Sequence, residues 1–298
     1  MKKLLAVLLT AAMTMAMLTA CGSSTEATDT TTETTEAEAD TTTDDAAVEE
    51  TAEAADAAEE TADTEAAVSE ALADGMLTAG TNAEFPPFEY VGDDGEADSF
   101  DIALIKAIGK KLGVDVQVDN MEFASLVSSI GNKIDVAIAG MTITDERKEA
   151  VDFSEPYYEA VQYVLLPEGS EIATAEDLKN KTIGVQLGTT GDFIASDIEG
   201  TTVNTYNKGV DAVNDLINGR VDCVIIDKNP ALVFESKFQD DGSKITAVDG
   251  AQFEFEPEYY AIAVPKGDTA LVDAINKAIE ELKADGTFDE LVKTYIEE

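Results

Sequence analysis

The sequence predicts an α/β protein whose folded part runs from Met76 to Glu298 and is built as two α/β lobes. Two observations predict this. Apolar runs of β type alternate with stretches whose apolar residues recur at helical spacing, and the whole series starts again near Thr182. A third observation bears on function. Polar and aromatic residues with binding chemistry follow several of the predicted strands, where open α/β sheets place their ligands.

The elements follow in chain order. Met1-Lys2-Lys3 leads into an apolar run, Leu4 to Leu18, and then Leu18-Thr19-Ala20-Cys21. A basic start, a short apolar core and small residues at the cut describe a secretory signal peptide over 1–20. The run is too short for a stable membrane span. Cys21 followed by Gly22 looks like a bacterial lipobox, which implies cleavage before Cys21 and a diacylglycerol on its thiol. From Gly22 to Gly75 the chain carries 18 acidic residues, no Lys or Arg and no aromatic residue. Such a stretch cannot bury enough apolar area to offset chain entropy, so 21–75 is expected to be a lipidated cysteine and a disordered acidic linker. A flexible coil of this length reaches on the order of 40 Å, which suits a head tethered off a membrane.

Met76 to Gly80 reads as a strand leading into Asn82-Ala83-Glu84-Phe85-Pro86-Pro87. Ile102, Leu104, Ile105, Ile108 and Leu112 are spaced for a helix that Gly113 ends. Val114 to Val118 is a strand, Phe123 to Ile130 a short helix and Ile134 to Ala139 a buried strand. This βαβαβ series favours a parallel sheet with right-handed crossovers. In the second half, Thr182 to Val185, Thr202 to Tyr206 and Val221 to Ile226 read as strands. The helices Gly191 to Ile198 and Val210 to Ile217 separate them. Tyr260 to Val264 is a further strand, and two helices close the chain, Leu271 to Lys283 and Phe288 to Ile296.

Composition excludes several functions. The region from Met76 onward has 17 bases against 44 acids, a net charge of −27. That argues against nucleic-acid binding, which needs a basic footprint. There is no histidine, so neither a Ser-His-Asp triad nor a histidine-ligated metal site is possible, and no cofactor or metal site is expected. Cys223, in the run VDCVII, has no partner once Cys21 is acylated and reads as a buried, inert thiol.

One segment points to a ligand. In AGMTITDERKEAVDFSEPYY, Ala139 to Tyr158, Arg147 stands beside the small-residue turn Gly140-Met141-Thr142. An arginine fork fits a carboxylate bidentately, and backbone N–H groups of such a loop can face the same anion. Thr189 and Thr190 open a helix, where free N–H groups either accept capping or favour an anion. Asp227 reads as the N-cap before Asn229-Pro230, as a pocket carboxylate, or as both. By residue type alone, Phe85 and Phe123 read as core.

GTNAEFPPFEY, FDIALIKAIGKKLGV, the Arg147 segment, GVQLGTTG, NKGVDAVNDLINGRVDCVIID and INKAIEELKADGTFDELVKTYI together resemble the polar amino-acid-binding proteins of bacterial ABC importers. The resemblance spans nearly all of Met76 to Glu298. It implies the type II periplasmic-binding-protein fold, with lobe one from 76–160 and 261–298 and lobe two from 161–260. The lobes would be joined by two crossing strands near Glu159 to Val161 and Pro257 to Ala261. It implies that Arg147 grips an α-carboxylate with Thr142, Thr189 and Thr190, and that Asp227 and the carbonyl of Gly140 take the α-ammonium. It further implies that Phe85 and Phe123 sandwich the side chain. Met141 comes with the ligand loop, and side-chain choice falls to Asn82, Glu84, Gln186 and Ile226. Asn82 stands where several relatives carry aspartate, and Ser99-Phe100-Asp101 where they carry Gly-Phe-Asp.

The function implied is capture of a free polar or basic amino acid by a monomeric lipoprotein on the extracytoplasmic face of the cell membrane, for delivery to an ABC permease. No catalytic residues are assigned. The alternatives are an enzyme on the same fold, resembling prephenate or arogenate dehydratases, and a ligand-sensing head for a membrane partner.

Overall fold

A computed structural model describes residues 69–297 apart from 93, 94, 96 and 241. The signal peptide, Cys21 and most of the acidic linker lie outside the described residues. The described residues 69–75 are ordered, although the composition placed them in the linker. Ser69 caps the turn Glu70–Leu72 and donates to Asp268 (2.7 Å), and Leu72 packs against the core. Leu72 is one of the few sizeable apolar side chains in that stretch, and its packing holds the turn on the core.

Two five-stranded sheets share one plan. In the first the order is Asp115–Asn120, Met76–Thr81, Val136–Ala137, Ala263–Pro265, Val151–Phe153. In the second it is Thr202–Tyr206, Thr182–Gln186, Cys223–Asp227, Gln162–Pro167, Ile245–Asp249. The first three strands of each are parallel, as the βαβαβ pattern predicts. The fourth runs antiparallel to both its neighbours and the fifth returns to the common direction, so neither sheet is the purely parallel one expected. The chain leaves the first sheet, builds the second and returns, and each passage adds a strand of reversed direction.

The passages themselves pair. Tyr158–Ala160 lies antiparallel to Glu258–Tyr260, with Tyr158 opposite Tyr260 and Ala160 opposite Glu258, close to the predicted crossings. The single strand expected over Tyr260 to Val264 therefore splits. Glu258–Tyr260 belongs to the hinge and Ala263–Pro265 to the first sheet, because Ala261 N–H turns aside to the Met141 carbonyl (3.0 Å). The strand expected over Ile134 to Ala139 pairs only at Val136–Ala137, and the helix expected over Phe123 to Ile130 is a 3-10 turn, Phe123–Ser125, running into one α turn, Leu126–Ser129.

The helix Phe100–Leu112 shows the logic of the core. Phe100, Ile102, Leu104, Ile105 and Ile108 are all fully buried, each contributing about 1.5–3 kcal/mol by leaving water. Gly113 ends it at φ +74, a conformation that costs glycine nothing. The closing helices Thr269–Ala284 and Thr287–Tyr295 return to pack on it through Leu271, Ile275, Leu282 and Phe288. At Ser99 the backbone is extended (φ 167), so a residue other than glycine fits there without strain. Cys223 is fully buried, and burial pushes its thiol up to about 12, out of reach of thiolate chemistry. No helix among the described residues is long and apolar enough to cross a membrane.

Candidate functional site

The carboxyl ends of the two sheets face one another across a narrow cavity. Ten of the residues singled out in the sequence line it: Asn82, Phe85, Phe123, Gly140, Thr142, Arg147, Gln186, Thr189, Thr190 and Asp227. Met141 does not. It sits between two cavity residues but turns the other way, fully buried in a cluster with Leu126, Ile134 and Val151. Glu84 and Ile226 are also absent from the lining. Glu84 pairs with Lys208 across the seam between the lobes, and Ile226 is core. Ala139 and Glu89 line the cavity without having been expected.

Arg147 lies on a helix of six residues, Asp145–Ala150, which the sequence reading missed. Thr144 caps that helix by accepting from the Arg147 N–H (3.1 Å), and this aims the side chain inward. Arg147 is only 6% exposed. It donates to the carbonyls of Thr142 (2.6 Å) and Gly188 (2.9 Å), one from each lobe. It also lies 5.4 Å from the Phe123 ring and 5.9 Å from that of Phe193. Burial lowers it to about 10, against the pull of Glu258 and Asp227, so it stays a cation at neutral pH. No carboxylate among the described residues forms a direct ion pair with it. A buried cation held by dipoles alone is poised for an anion.

Around it the donors are arranged from both lobes. Thr190 begins the helix Thr190–Asp197, and Thr189 caps it while donating its hydroxyl to the Gln186 carbonyl (2.8 Å). The hydroxyls of Thr142 and Thr190 both donate to Glu258 Oε2 at 2.7 Å, and Gln162 Nε2 approaches the same oxygen at 3.4 Å. Glu258 thus ties the hinge strand to a loop of one lobe and a helix of the other. The sequence reading missed it. In its strand of three residues Glu258 shares a side with buried Tyr260, while Tyr259, between them, is 46% exposed.

Asp227 ends its strand directly before the helix Lys228–Asp240 and is 7% exposed. Tyr260 donates a short hydrogen bond to its Oδ1. Burial, and then the charge of Glu258, push its carboxyl up to about 7. Gly140 turns at φ +52, and a side chain there would press on the Phe85 ring at 3.2 Å. Its N–H donates to Asp101 Oδ2 (2.8 Å), which fixes the loop. Across the seam, Gln186 Nε2 donates to Asn82 Oδ1 (2.8 Å), and Asn82 Nδ2 to the Met121 carbonyl (2.9 Å), while Gln186 Oε1 is buried without a donor.

Glu89 stands opposite Phe85 in the hairpin of Glu84–Phe85 with Glu89–Val91. Cross-strand partners share a face, so the Phe85 side chain would have located it had two such short strands been legible. It is 1% exposed, and neither of its oxygens has a donor. The cavity wall therefore holds one cation, Arg147, and two acids, Asp227 and Glu89. The arrangement can hold a small molecule with one carboxylate at the Arg147 end and positive charge elsewhere. Among the described residues no cluster of Asp, Glu or Cys is arranged to hold a metal ion.

The chain has relatives among known proteins. The chain is similar to the L-cystine-binding protein TcyJ of Escherichia coli K12, 34% identical over 231 residues, covering 76% of this chain and 85% of that protein. Among solved structures it resembles an ancestral arginine-binding protein bound to arginine, with a TM-score of 0.70 and 42% identity over 74% of this chain and 98% of that one. It also resembles the arginine-, lysine-, histidine-binding protein ArtJ of Geobacillus stearothermophilus, with a TM-score of 0.69 and 35% identity over 75% of this chain and 96% of that one. These matches share the type II periplasmic-binding fold. Residues 77–298 match the bacterial extracellular solute-binding proteins, family 3, and the chain belongs to that family.

Proposed function

We propose that this protein captures a free amino acid with a cationic side chain between its lobes and delivers it to an ABC permease. One observation carries the reading: a buried arginine without a carboxylate partner faces a buried aspartate across an interlobe cavity. Arg147 takes the α-carboxylate, joined by the Thr142 and Thr190 loops. Asp227 takes the α-ammonium, with the Gly140 carbonyl. Phe85 and Phe123 hold the side chain, and Asn82, Gln186 and Glu89 meet its end. The preference for a cation rests on the wall's excess of acid, with Glu258 and Asp101 adding negative charge behind it. The names of the relatives, which include arginine-, lysine- and histidine-binding proteins, support the same class.

The bonds from Arg147 to Gly188 and from Gln186 to Asn82 join the two lobes and would form on closure, so ligand energy biases an open–closed equilibrium. The protein acts as a monomer, tethered by a lipid on Cys21 at the extracytoplasmic face of the membrane, and it binds without turnover. Mass spectrometry of the mature protein tests the lipid. Titration calorimetry with all twenty amino acids tests the binding. Arginine or lysine is expected to bind best, and no binding tighter than about 1 mM by any of them overturns the reading.

A further inference from the structure

Beneath the cavity floor two carboxyl groups meet. Glu89 reaches down from its hairpin strand, and Asp101 reaches up from the first turn of the helix Phe100–Leu112. Both are essentially inaccessible to solvent. Asp101 Oδ2 has two donors, the Gly140 N–H at 2.8 Å and the Tyr157 hydroxyl at 2.9 Å. Asp101 Oδ1 and both Glu89 oxygens have none. The two carboxyls lie within hydrogen-bonding reach of each other. The other titratable groups that face Glu89 are Asp227, Tyr157 and Tyr260, and every one is an acid.

Two bare carboxylates cannot both stay ionised in a dry interior. One proton shared between them gives one oxygen of each a hydrogen bond. Asp101, with its two donors, is the better anion, and burial raises it only to about 6. Glu89, desolvated and facing the charges of Asp101 and Asp227, is driven well above the usual carboxylate range and carries the proton. Yet Glu89 is the member of the pair that lines the cavity. A cation arriving there would supply the positive charge that the proton supplies in the empty protein.

We propose that capture of a cationic amino acid is an exchange of cation for proton at Glu89. The Glu89 O–H bond breaks, its electron pair stays on the carboxylate, the ligand's side-chain cation pairs with that carboxylate, and one proton leaves to solvent. The inference rests on the cationic-amino-acid reading above and adds a linkage to it. A neutral amino acid uses Arg147 and Asp227 but leaves the Glu89 proton in place. Any proton that Asp227 gives up is common to all amino acids, so the difference between ligands belongs to Glu89.

Calorimetry of arginine and glutamine in two buffers of different ionisation heat, at equal pH, counts the protons. The expected result is about one more proton released with arginine than with glutamine. Affinity for arginine should accordingly rise about tenfold more per pH unit than affinity for glutamine while Glu89 is protonated in the empty protein. Glu89→Gln should abolish the difference between the two ligands. Equal proton release with the two ligands, or an undiminished difference in Glu89→Gln, overturns the exchange while leaving amino-acid capture intact. Binding of neutral amino acids alone, or of none, overturns the reading beneath it as well. The wild-type comparison of two ligands decides the matter even if the variant folds poorly.

Discussion

The two ends of the cavity meet the same difficulty, buried charge, in opposite ways. At one end Arg147 keeps its charge in the empty protein. Its ordinary pKa is so high that burial cannot neutralise it, and two carbonyls and two aromatic rings support it. At the other end Asp227 and Glu89 have a cheaper route, since a carboxyl in a dry site can take up a proton. The arginine end is thus set for a carboxylate at any pH below about 10. The acid end is set for cations only once its protons have left.

Breaking the arginine end should have the largest effect. Arg147→Ala removes the charge that faces the ligand carboxylate and an interlobe bond to Gly188. Truncating one member of a buried charge pair costs about 2–5 kcal/mol, so affinity for every amino acid should fall by roughly 100-fold or more. Calorimetry reads this, and circular dichroism should show the fold retained. Normal affinity would remove Arg147 from the site.

The acid end gives the next largest effect and an opposite sign for stability. Asp227→Asn should weaken all amino acids by about 2 kcal/mol or more. It should also stabilise the empty protein at alkaline pH. The sign follows from linkage. The folded carboxyl, raised to about 7, binds more protons than the unfolded one between its ordinary pKa and about 7, so its contribution falls as pH rises through that window. Thermal melts of wild type and variant at pH 5 and pH 8 should converge at the lower pH and separate at the higher. In the wild type, binding of a neutral amino acid should weaken as pH drops below about 7, because Asp227 is then protonated.

A smaller effect is expected behind the arginine. Glu258→Gln keeps the shape but loses the charge that gathers the Thr142 and Thr190 hydroxyls from the two lobes. Affinity should fall by about 1–1.5 kcal/mol, roughly tenfold, mainly through faster dissociation in stopped-flow traces. The smallest effect belongs to the seam's edge. The Glu84–Lys208 pair has side chains 30% and 42% exposed, so Lys208→Ala should cost less than about 1 kcal/mol and only at low salt.

The same contrast explains what the sequence made legible. Asp227, Thr190 and Asn82 stand out because each lies near the end of a strand run that its apolar residues reveal, and Arg147 because it follows the small-residue turn at such an end; sheet topology then brings those ends together. Glu89 and Glu258 sit in strands of three residues, too short to show a period. Their meaning depends on Asp101 and on Thr142 with Thr190, partners distant in the chain. The reversed strand Gln162–Pro167 and the edge strand Ile245–Asp249 beside it were missed for a related reason. They lie outside the repeating series, next to the passages where the chain changes lobes. Met141 shows the limit of reading a loop as a unit, for between two cavity residues it alone turns to the core.

The most direct test of the account compares arginine with agmatine, the same molecule without its carboxylate, by calorimetry at pH 8. The account predicts clear binding of arginine and a loss of roughly 100-fold or more for agmatine, because only the carboxylate satisfies Arg147. Equal affinity for the two would contradict it.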